Sequence, residues 1–579
     1  MRWQILTKLH PQTQNERRRE IIINLLRNRG LRTKTQIQEF LKPPKPDTIP
    51  IQAVGINQQE LSKAIARIKK AITANEAIVV YGDYDADGIC ATAILWEALF
   101  AAGANVLPFI PHRETHGYGL SIKGIDTIIK NPSLNTLRST PTLIITVDNG
   151  IVAHKGVDYA HRKGIDVVIC DHHEKAKRRP KALAIVHTTL LAGSGVGWMF
   201  AREIVRKLTP KLRHRSSLDL AAIGTVADMV PLLGPNRTIV KTGIAELRRT
   251  QRIGILALLK EAGLHPEEID TYRLNFLIAP RLNAMGRLEH ATDALRLLCT
   301  GNQERAERLA EKIGTINKKR QQLLEETLVQ ARTVYDQGKP SAKDRVIIID
   351  HQDFHEGIIG LIAGKMVEEF YKPTIVLSRG RRLSKASARS IPGFNIIKRI
   401  RELEDLLVDV GGHPMAAGFT IETRHIHTFR QRMYNIAVKH IHEKLLEKSI
   451  KIDCELVFSD ITDKLYQRIQ EFEPFGMANP IPVFATKAAL VQSMRRVGTT
   501  GQHLKLVIGT EEPAFTNPTL QAIGFGMGDR AEDITAGTKL DIAYSLELNV
   551  WSGRSNIELK LKDMKSSGTK ESKQNNSAS

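Results

Sequence analysis

What most constrains this chain is a repeated event, an apolar run of strand length that stops at a cluster of acidic or imidazole side chains. AIVVY at 77–81 leads directly into Gly82-Asp83-Tyr84-Asp85-Ala86-Asp87-Gly88. TLIITV at 142–147 stops at Asp148-Asn149-Gly150, and IDVVIC at 165–170 stops at Asp171-His172-His173. Short, continuous apolar runs are the mark of strands buried on both faces. The segments between them, such as AIARIKKAITA and ATAILWEALFAAG, are helix-like, and the 23 residues from Asp148 to Asp171 suit one strand-helix-strand unit. A buried parallel sheet is therefore expected, with every motif at its C-terminal edge, where open α/β sheets bind ligands.

One Asp at a strand end is an ordinary turn former or helix cap. Three carboxylates within five residues repel one another, and a divalent cation is the usual counterweight. Asp228, in the apolar segment GTVADMVPL, is a fourth contribution that needs a partner if buried. Taken singly, Asp148 reads as a turn former, His172 as a core histidine and Asp228 as a helix cap. Jointly they form a set of oxygen and nitrogen donors suited to manganese or magnesium. A structural zinc would favour Cys, and the four cysteines, Cys90, Cys170, Cys299 and Cys454, are scattered. Two such cations can activate a water and hold the nonbridging oxygens of a phosphodiester. Asp148, on the middle motif-bearing strand, is the candidate to bridge them. His172 and His173 point in different directions off an extended backbone, so one can ligate metal while the other faces the phosphate as charge stabiliser or proton donor.

These segments, GDYDADG (82–88), VDNG (147–150), DHH (171–173) and GTVADMVPL (224–232), resemble the successive motifs of the DHH phosphoesterase superfamily. Further along, RLNAMGRL (281–288), SARSIPGFN (387–395), GGHPMAAGF (411–419) and EPFGMANPIPVF (473–484) resemble its single-strand DNA exonuclease branch, so the resemblance covers roughly 50–565. It implies 5′→3′ hydrolysis of single-stranded DNA to mononucleotides, with two Mn²⁺ or Mg²⁺ ions, in recombination and repair. By motif matching, the metal ligands fall on Asp83, Asp85, Asp87, Asp148, His172 and Asp228, with Asp148 and His173 in catalytic roles and His173 near the scissile phosphate. The resemblance also implies Arg113, Ser387 and Arg389 at a terminal phosphate, and Arg281 and Asn283 on the DNA backbone near the cations. His413 reads either as a substrate contact or as a loop anchor. Two departures stand out: Tyr81 occupies a place where many superfamily members carry His, and LSKASARS replaces a segment that often contains Gly-Ser.

The expected architecture is α/β: a parallel-sheet DHH domain at 51–300, a connecting helix at 301–338, and a second α/β domain, DHH-associated, at 339–447. A C-terminal OB-like β-barrel follows at 448–565, with a basic N-terminal extension at 1–50 and a disordered tail at 566–579. The helix expectation rests on residues 302–337, dense in Glu, Lys, Arg, Gln and Leu and free of Pro. The strands RVIIID (345–350) and TIVLS (374–378) mark the second domain, and short segments such as HLKLVIG and KLDIAYSLELN the barrel. Gly193-Ser-Gly-Val-Gly197 lacks a dinucleotide-loop context and reads as a turn leading into a helix.

With 84 Lys+Arg against 62 Asp+Glu, the charge of +22 suits a polyanionic partner, single-stranded DNA. Residues 371–389 carry six basic side chains and no acid, and Ser-Ala-Arg-Ser-Ile at 387–391 suggests a phosphate nest. Barrel aromatics, among them Phe472, Phe484, Phe525, Tyr544 and Trp551, are candidates to stack bases, although most are expected in the core. The first 20 residues contain no apolar leader, and Ala182–Ala201 is too rich in polar residues and Gly for a membrane span. The reading is a cytoplasmic monomer without membrane contact, with a helicase and a single-strand-binding protein as further partners. The alternatives are a DHH phosphodiesterase of short oligonucleotides, which needs neither barrel nor this much charge, and a non-catalytic DNA-binding replication scaffold, which needs no intact ligand set.

Overall fold

The computed structural model describes all residues except 11–12, 131–139, 211–216, 339–340, 342–343, 511–518, 552–553 and 569–579. The chain forms two compact units, Pro44–Glu447 on the one hand and Met1–Pro43 with Lys448–Ser579 on the other. Among the described residues, no helix is long and apolar enough to cross a membrane.

In the larger unit, five parallel strands stand in the order Val106–Phe109, Ile78–Tyr81, Leu143–Val147, Asp166–Asp171, Ala184–His187. Alternate residues serve opposite faces: Ile78 and Val80 pack with Ile89, Ile94 and Met199, while Val79 and Tyr81 pack with Ile125, Ile128 and Val157. Both faces are thus covered by helices, which is why the strand sequences are apolar throughout. From strand 78–81 the chain winds first to one side, to 106–109, and then to the other, to 143–147. That reversal leaves a crevice at the carboxyl ends of 78–81 and 143–147, where two of the acidic motifs emerge. Gly193–Gly197, expected as a turn before a helix, is already helical and opens the helix Gly193–Leu208.

The helix Gln303–Gln337, capped by the Asn302 side chain, runs 35 residues, about 50 Å at 1.5 Å per residue. Its Ala306, Ala310 and Ile313 belong to the core beside the first sheet, and its Ala331 to a core containing Ile347 and Ile349. One rigid element therefore carries two cores. The second sheet runs Leu407–His413, Ala416–Glu422, Leu383–Arg389, Thr374–Ser378, Ile347–His351. Only the last pair is parallel, so the α/β pattern at 345–378 continues into antiparallel strands, with Ala416–Glu422 inserted between Leu383–Arg389 and Leu407–His413.

One expectation is corrected here. Ser387 and Arg389 lie on a strand in the interior of the sheet, not in a phosphate nest, because both neighbouring strands take up the backbone groups a nest would need. The Ala residues of LSKASARS consequently adopt ordinary extended backbone, in which they are unstrained.

In the smaller unit, strands Phe484–Val497, His503–Gly509, Leu520–Gly524, Arg554–Ser566 and Lys539–Trp551 close on themselves through pairing of the first with the last. The N-terminal segment, expected as a separate extension, is built into this unit. Arg2–Ile5 pairs in parallel with Ser449–Ile452, Phe40 meets Phe472 edge-on, and Ile21, Leu25 and Leu26 are buried. Its basic residues are partly spoken for: Arg17 binds Asp460 at 2.7 Å, and Arg29 Nε donates to Asn479 Oδ1 at 2.7 Å. Partners some 440 residues apart leave no local sequence signal. The expected tail lies outside the described residues from 569 onward.

Candidate metal centre

The first acidic loop is held by its own carboxylates. Asp85 caps the helix Ala86–Ala101, its Oδ1 accepting from the Gly88 amide at 3.0 Å. Asp87, on the first turn, is buried and accepts from the amides of Gly193 at 2.7 Å and Ser194 at 3.0 Å. A helix N-terminus favours an anion by about 0.3–2 kcal/mol. Burial and the neighbouring Asp85 nevertheless outweigh the Ser194 and Gly193 hydrogen bonds and raise the Asp87 pKa to about 6. Repulsion and desolvation win.

Asp148 follows the strand Leu143–Val147 with φ 62° and is buried. Its neighbours must come very close: a Cβ on Gly193 would collide with the Asp148 carboxylate, and one on Gly224 would fall on Asp87 Oδ1 and Ser194 Oγ. Helices Gly193–Leu208 and Leu218–Ala227 approach the cage only because these positions are glycine. The latter helix ends at Asp228, half-buried at its C-cap.

Three groups of donor atoms lie within 4.8 Å of one another: Asp83, Asp85 and Asp148; Asp87, His172 and Asp228; and Asp148, His172 and His173. The first two gather all six expected ligands, and Asp148 and His172 link the sets. Asp83 Oδ1, Asp148 Oδ1 and Asp228 Oδ2 are buried and make no hydrogen bond. Asp83 is pushed well above the usual carboxylate range by burial and by Asp85, Asp148 by burial and by Asp87, Asp85 and Asp83, and Asp228 is raised to about 8 by burial with Asp87 and Asp85. Orphaned oxygens and raised carboxylates are what a cage built for cations looks like without its counter-charge, and the donor chemistry fits two hard divalent ions. Burial, with His173 alongside, lowers His172 to about 4, so its ring is neutral and offers a lone pair.

Asp171 organises the histidines. Its Oδ1 accepts from the His172 amide at 2.7 Å and lies 2.8 Å from His173 Nδ1, while its Oδ2 accepts from Ile151 N at 2.8 Å. Burial pulls the His173 ring down, but the Asp171 hydrogen bond and charge prevail and hold it at about 9. His173 Nε2 then faces Tyr118 Oη at 3.0 Å, and Tyr118 packs edge-on to Tyr84.

The expected substrate residues divide. The Arg113 guanidinium stands 5.4 Å from the Tyr84 ring centroid. Arg389 Nη1 donates to Ser387 Oγ at 3.2 Å, and both side chains lie against Gly360 in the first turn of the helix Ile359–Phe370. The His413 ring is 6.4 Å from His173 and nearly parallel to it. Arg281 and Asn283 are otherwise engaged: Arg281 Nε binds Glu261 at 2.6 Å, and Asn283 Oδ1 accepts from the Ala86 amide at 2.8 Å, bracing the acidic loop. Tyr81 is fully buried and donates to the Gly119 carbonyl at 3.0 Å, so it fills space under the cage instead of ligating. In the basic run, Arg379 is taken up by Asp350.

Sequence reading missed Asp171 as a positioning group, Tyr118, and Arg287. Burial lowers Arg287 to about 10, with Arg113, Arg389 and Arg320 adding like charge and Asp85 opposing. Its Nη1 donates to the Gly357 carbonyl at 3.0 Å. One clue was available, since Arg287 lies on the same motif, RLNAMGRL, as Arg281. In the barrel, Phe472, Phe484 and Tyr544 are core, whereas Phe525 is exposed beside His503; the side chain of Trp551 lies outside the described residues.

Fold and site together define a metal-dependent phosphoesterase of the DHH class. The sequence matches the DHH family, N-terminal domain, over 77–225, the DHHA1 domain over 343–439 and the RecJ OB domain over 452–563. The chain belongs to the RecJ family. It is 34% identical to the single-stranded-DNA-specific exonuclease RecJ of Bacillus subtilis, over 97% of this chain and 70% of that one. With the Escherichia coli protein of the same name it shares 30% identity over 93% and 94%. The crystal structure of RecJ in complex with Mn²⁺ from Thermus thermophilus superposes with a TM-score of 0.79 at 28% identity, covering 97% of this chain and 79% of that one. A structure of exonuclease RecJ bound to manganese gives 0.55 at 33%, covering 66% and 94%.

Proposed function

We propose that this chain hydrolyses single-stranded DNA from the 5′ end, releasing mononucleotides. The observation that carries the reading is a pair of ligand sets linked through Asp148 and His172 at the sheet's switch point, with the arginines 113, 287 and 389 gathered nearby. Asp83, Asp85 and Asp148 would hold one Mn²⁺ or Mg²⁺, and Asp87, His172 and Asp228, with Asp148 shared, the second. When bound, the ions supply an activated water and charge neutralisation on the phosphodiester.

The chain's own groups do the rest. Asp171 fixes the His173 ring through Nδ1, and Nε2, which faces Tyr118 Oη, would turn its proton from the tyrosine to the reacting phosphate, stabilising charge or reaching the leaving oxygen. Arg113, Arg287 and Arg389, with Ser387, match a terminal phosphate, because a dianion offsets the mutual repulsion of three guanidinium groups. Asn283 and the glycines 193 and 224 position the loop and cage. His413 lies beside His173 as a substrate contact. The barrel binds the trailing strand, helped by the overall positive charge. The protein acts in the cytoplasm as a monomer in recombination and repair, fed by a helicase and a single-strand-binding protein.

The test is degradation of a long single strand in Mn²⁺, labelled at either end, with and without a 5′-phosphate. Early release of the 5′ label as a mononucleotide, faster with the phosphate, is expected. Release from the 3′ end, or cleavage of dinucleotides alone, contradicts the reading.

A further inference from the structure

The strands Asp166–Asp171 and Ala184–His187 are parallel neighbours, so residues 172–183 carry the chain from the carboxyl edge of the first sheet back to its amino edge. Such crossovers usually contain a helix, and this one contains none. Its side chains are therefore not committed to packing a helix on the sheet. The run begins directly after His173, whose carbonyl lies 2.7 Å from His187 Nε2 and is thereby tied to the end of the neighbouring strand. It carries Lys175, Lys177, Arg178, Arg179 and Lys181 against one acid, Glu174. All five cations are exposed, and among the described residues no ion pair engages any of them. Like charges this dense repel one another, and an anion from outside the chain would offset the repulsion.

Position selects that anion. Along the carboxyl edge, Arg113 follows the strand Val106–Phe109 at one border of the sheet, and the metal-site motifs end the next three strands. The basic run leaves the last of these, Asp166–Asp171, toward the opposite border, three strand spacings or about 14 Å from Val106–Phe109. A strand with its terminal phosphate at Arg113 and its scissile linkage at the metal centre is already directed across the edge toward this run. An acidic peptide would find little to hold it, since the only apolar side chains among the cations are Ala176 and the buried Pro180. We infer that Lys175, Lys177 and Arg178 bind the phosphates immediately 3′ of the scissile linkage, with Arg179 and Lys181 continuing the track as the run descends from the edge. The inference rests on the nuclease reading and adds to it the contacts that keep the substrate in register behind the reacting bond.

The probe is oligothymidylate with a radiolabelled 5′-phosphate, cleaved in Mn²⁺ by an excess of the full chain so that only the first release is read. The variant combines Lys175→Ser, Lys177→Ser and Arg178→Ser, exposed positions at which the thermal midpoint should stay near that of the parent. It is expected to raise the half-saturating concentration about tenfold and to leave the saturating rate within about threefold, the mark of lost ground-state binding. Loss of two phosphate contacts should make the plot of log affinity against log salt shallower by about 1.4. A second substrate, with neutral methylphosphonates at the two linkages following the scissile one, locates the contact. It should bind the parent about tenfold more weakly than the normal strand, and the variant less than twofold more weakly. Equal losses in parent and variant would overturn the inference, because the run then contacts other phosphates. So would a variant that matches the parent in half-saturation and salt slope while the parent cleaves normally. If the parent itself releases no 5′-labelled mononucleotide, the nuclease reading fails and takes the inference with it.

Discussion

The imidazole of His172 lies with Nε2 3.2 Å from Asp148 Oδ1, while its Nδ1 is 3.7 Å from Asp228 Oδ2. A single neutral ring thus stands between carboxylates from two different ligand sets, one on a strand end and one on a helix C-cap. Asp148 belongs to the group with Asp83 and Asp85 and, through His172, adjoins the group of Asp87 and Asp228, so its replacement would strip a donor from the first and, on the proposed sharing, from the second. Asp148→Ala should lower turnover by about a thousandfold or more, in keeping with the loss of charge stabilisation at a metal site, and leave oligothymidylate affinity within a few-fold of the parent. Single-turnover rates and binding isotherms on the same preparation measure this, and substantial residual turnover would exclude a shared role for Asp148.

Gly193 offers a subtler test, because besides donating its amide to Asp87 it leaves free the space that a Cβ would take from Asp148. Gly193→Ala should keep the fold, since Ala favours a helix by about 1 kcal/mol over Gly, yet displace the Asp148 carboxylate. The expected result is an unfolding midpoint near that of the parent with activity reduced about a hundredfold. Parent-like activity would show that the cage tolerates the intrusion.

In the metal-free protein, His173 should titrate near 9 by histidine NMR, and Asp171→Asn should bring it down toward the ordinary imidazole range or lower. The sign follows from the elevation. Protonated His173 stabilises the fold fully below the unfolded histidine pKa, and that contribution is lost as pH rises through about 9. A His173 that titrates as usual while Asp171 is present would remove the basis for its orientation. Asp171→Asn should also slow cleavage by about two to four orders of magnitude, as for other misoriented imidazoles.

The parts of this arrangement that were legible in the sequence are those where chemistry interrupts a strong local pattern. Strands 78–81, 143–147 and 166–171 announce themselves as apolar runs, and the acids that end them cannot belong to a core. The strands Val106–Phe109 and Ala184–His187 were illegible because each is a four-residue sheet edge, the first containing Pro108, which only an edge tolerates. Ser387 and Arg389 read as a loop because Ser and Ala dilute the strand pattern, and only neighbours as distant as Gly418 make them a strand. Arg287 looks like any helical arginine until Arg113 and Arg389 are folded beside it.

The N-terminal segment makes the same point in energetic terms. Asp460 is fully buried and meets Arg17 at 2.7 Å, so Arg17→Ala should destabilise the smaller unit by about 3–5 kcal/mol, the cost of stranding a buried charge. A chain lacking residues 1–43 should lose cooperative folding of the barrel altogether, because it also loses the strand at Ser449–Ile452 its partner and Phe472 its edge-on contact with Phe40. Urea unfolding followed by tryptophan fluorescence would report both, and a barrel that melts normally without the segment would make it an appendage after all.

The central claim is that two cations share Asp148. Anomalous diffraction from crystals grown in Mn²⁺ addresses it directly. Two peaks are predicted, one against Asp83 and Asp85 and one against Asp87, His172 and Asp228, both coordinated by Asp148. A single peak, or two peaks that do not share that carboxylate, would contradict the account.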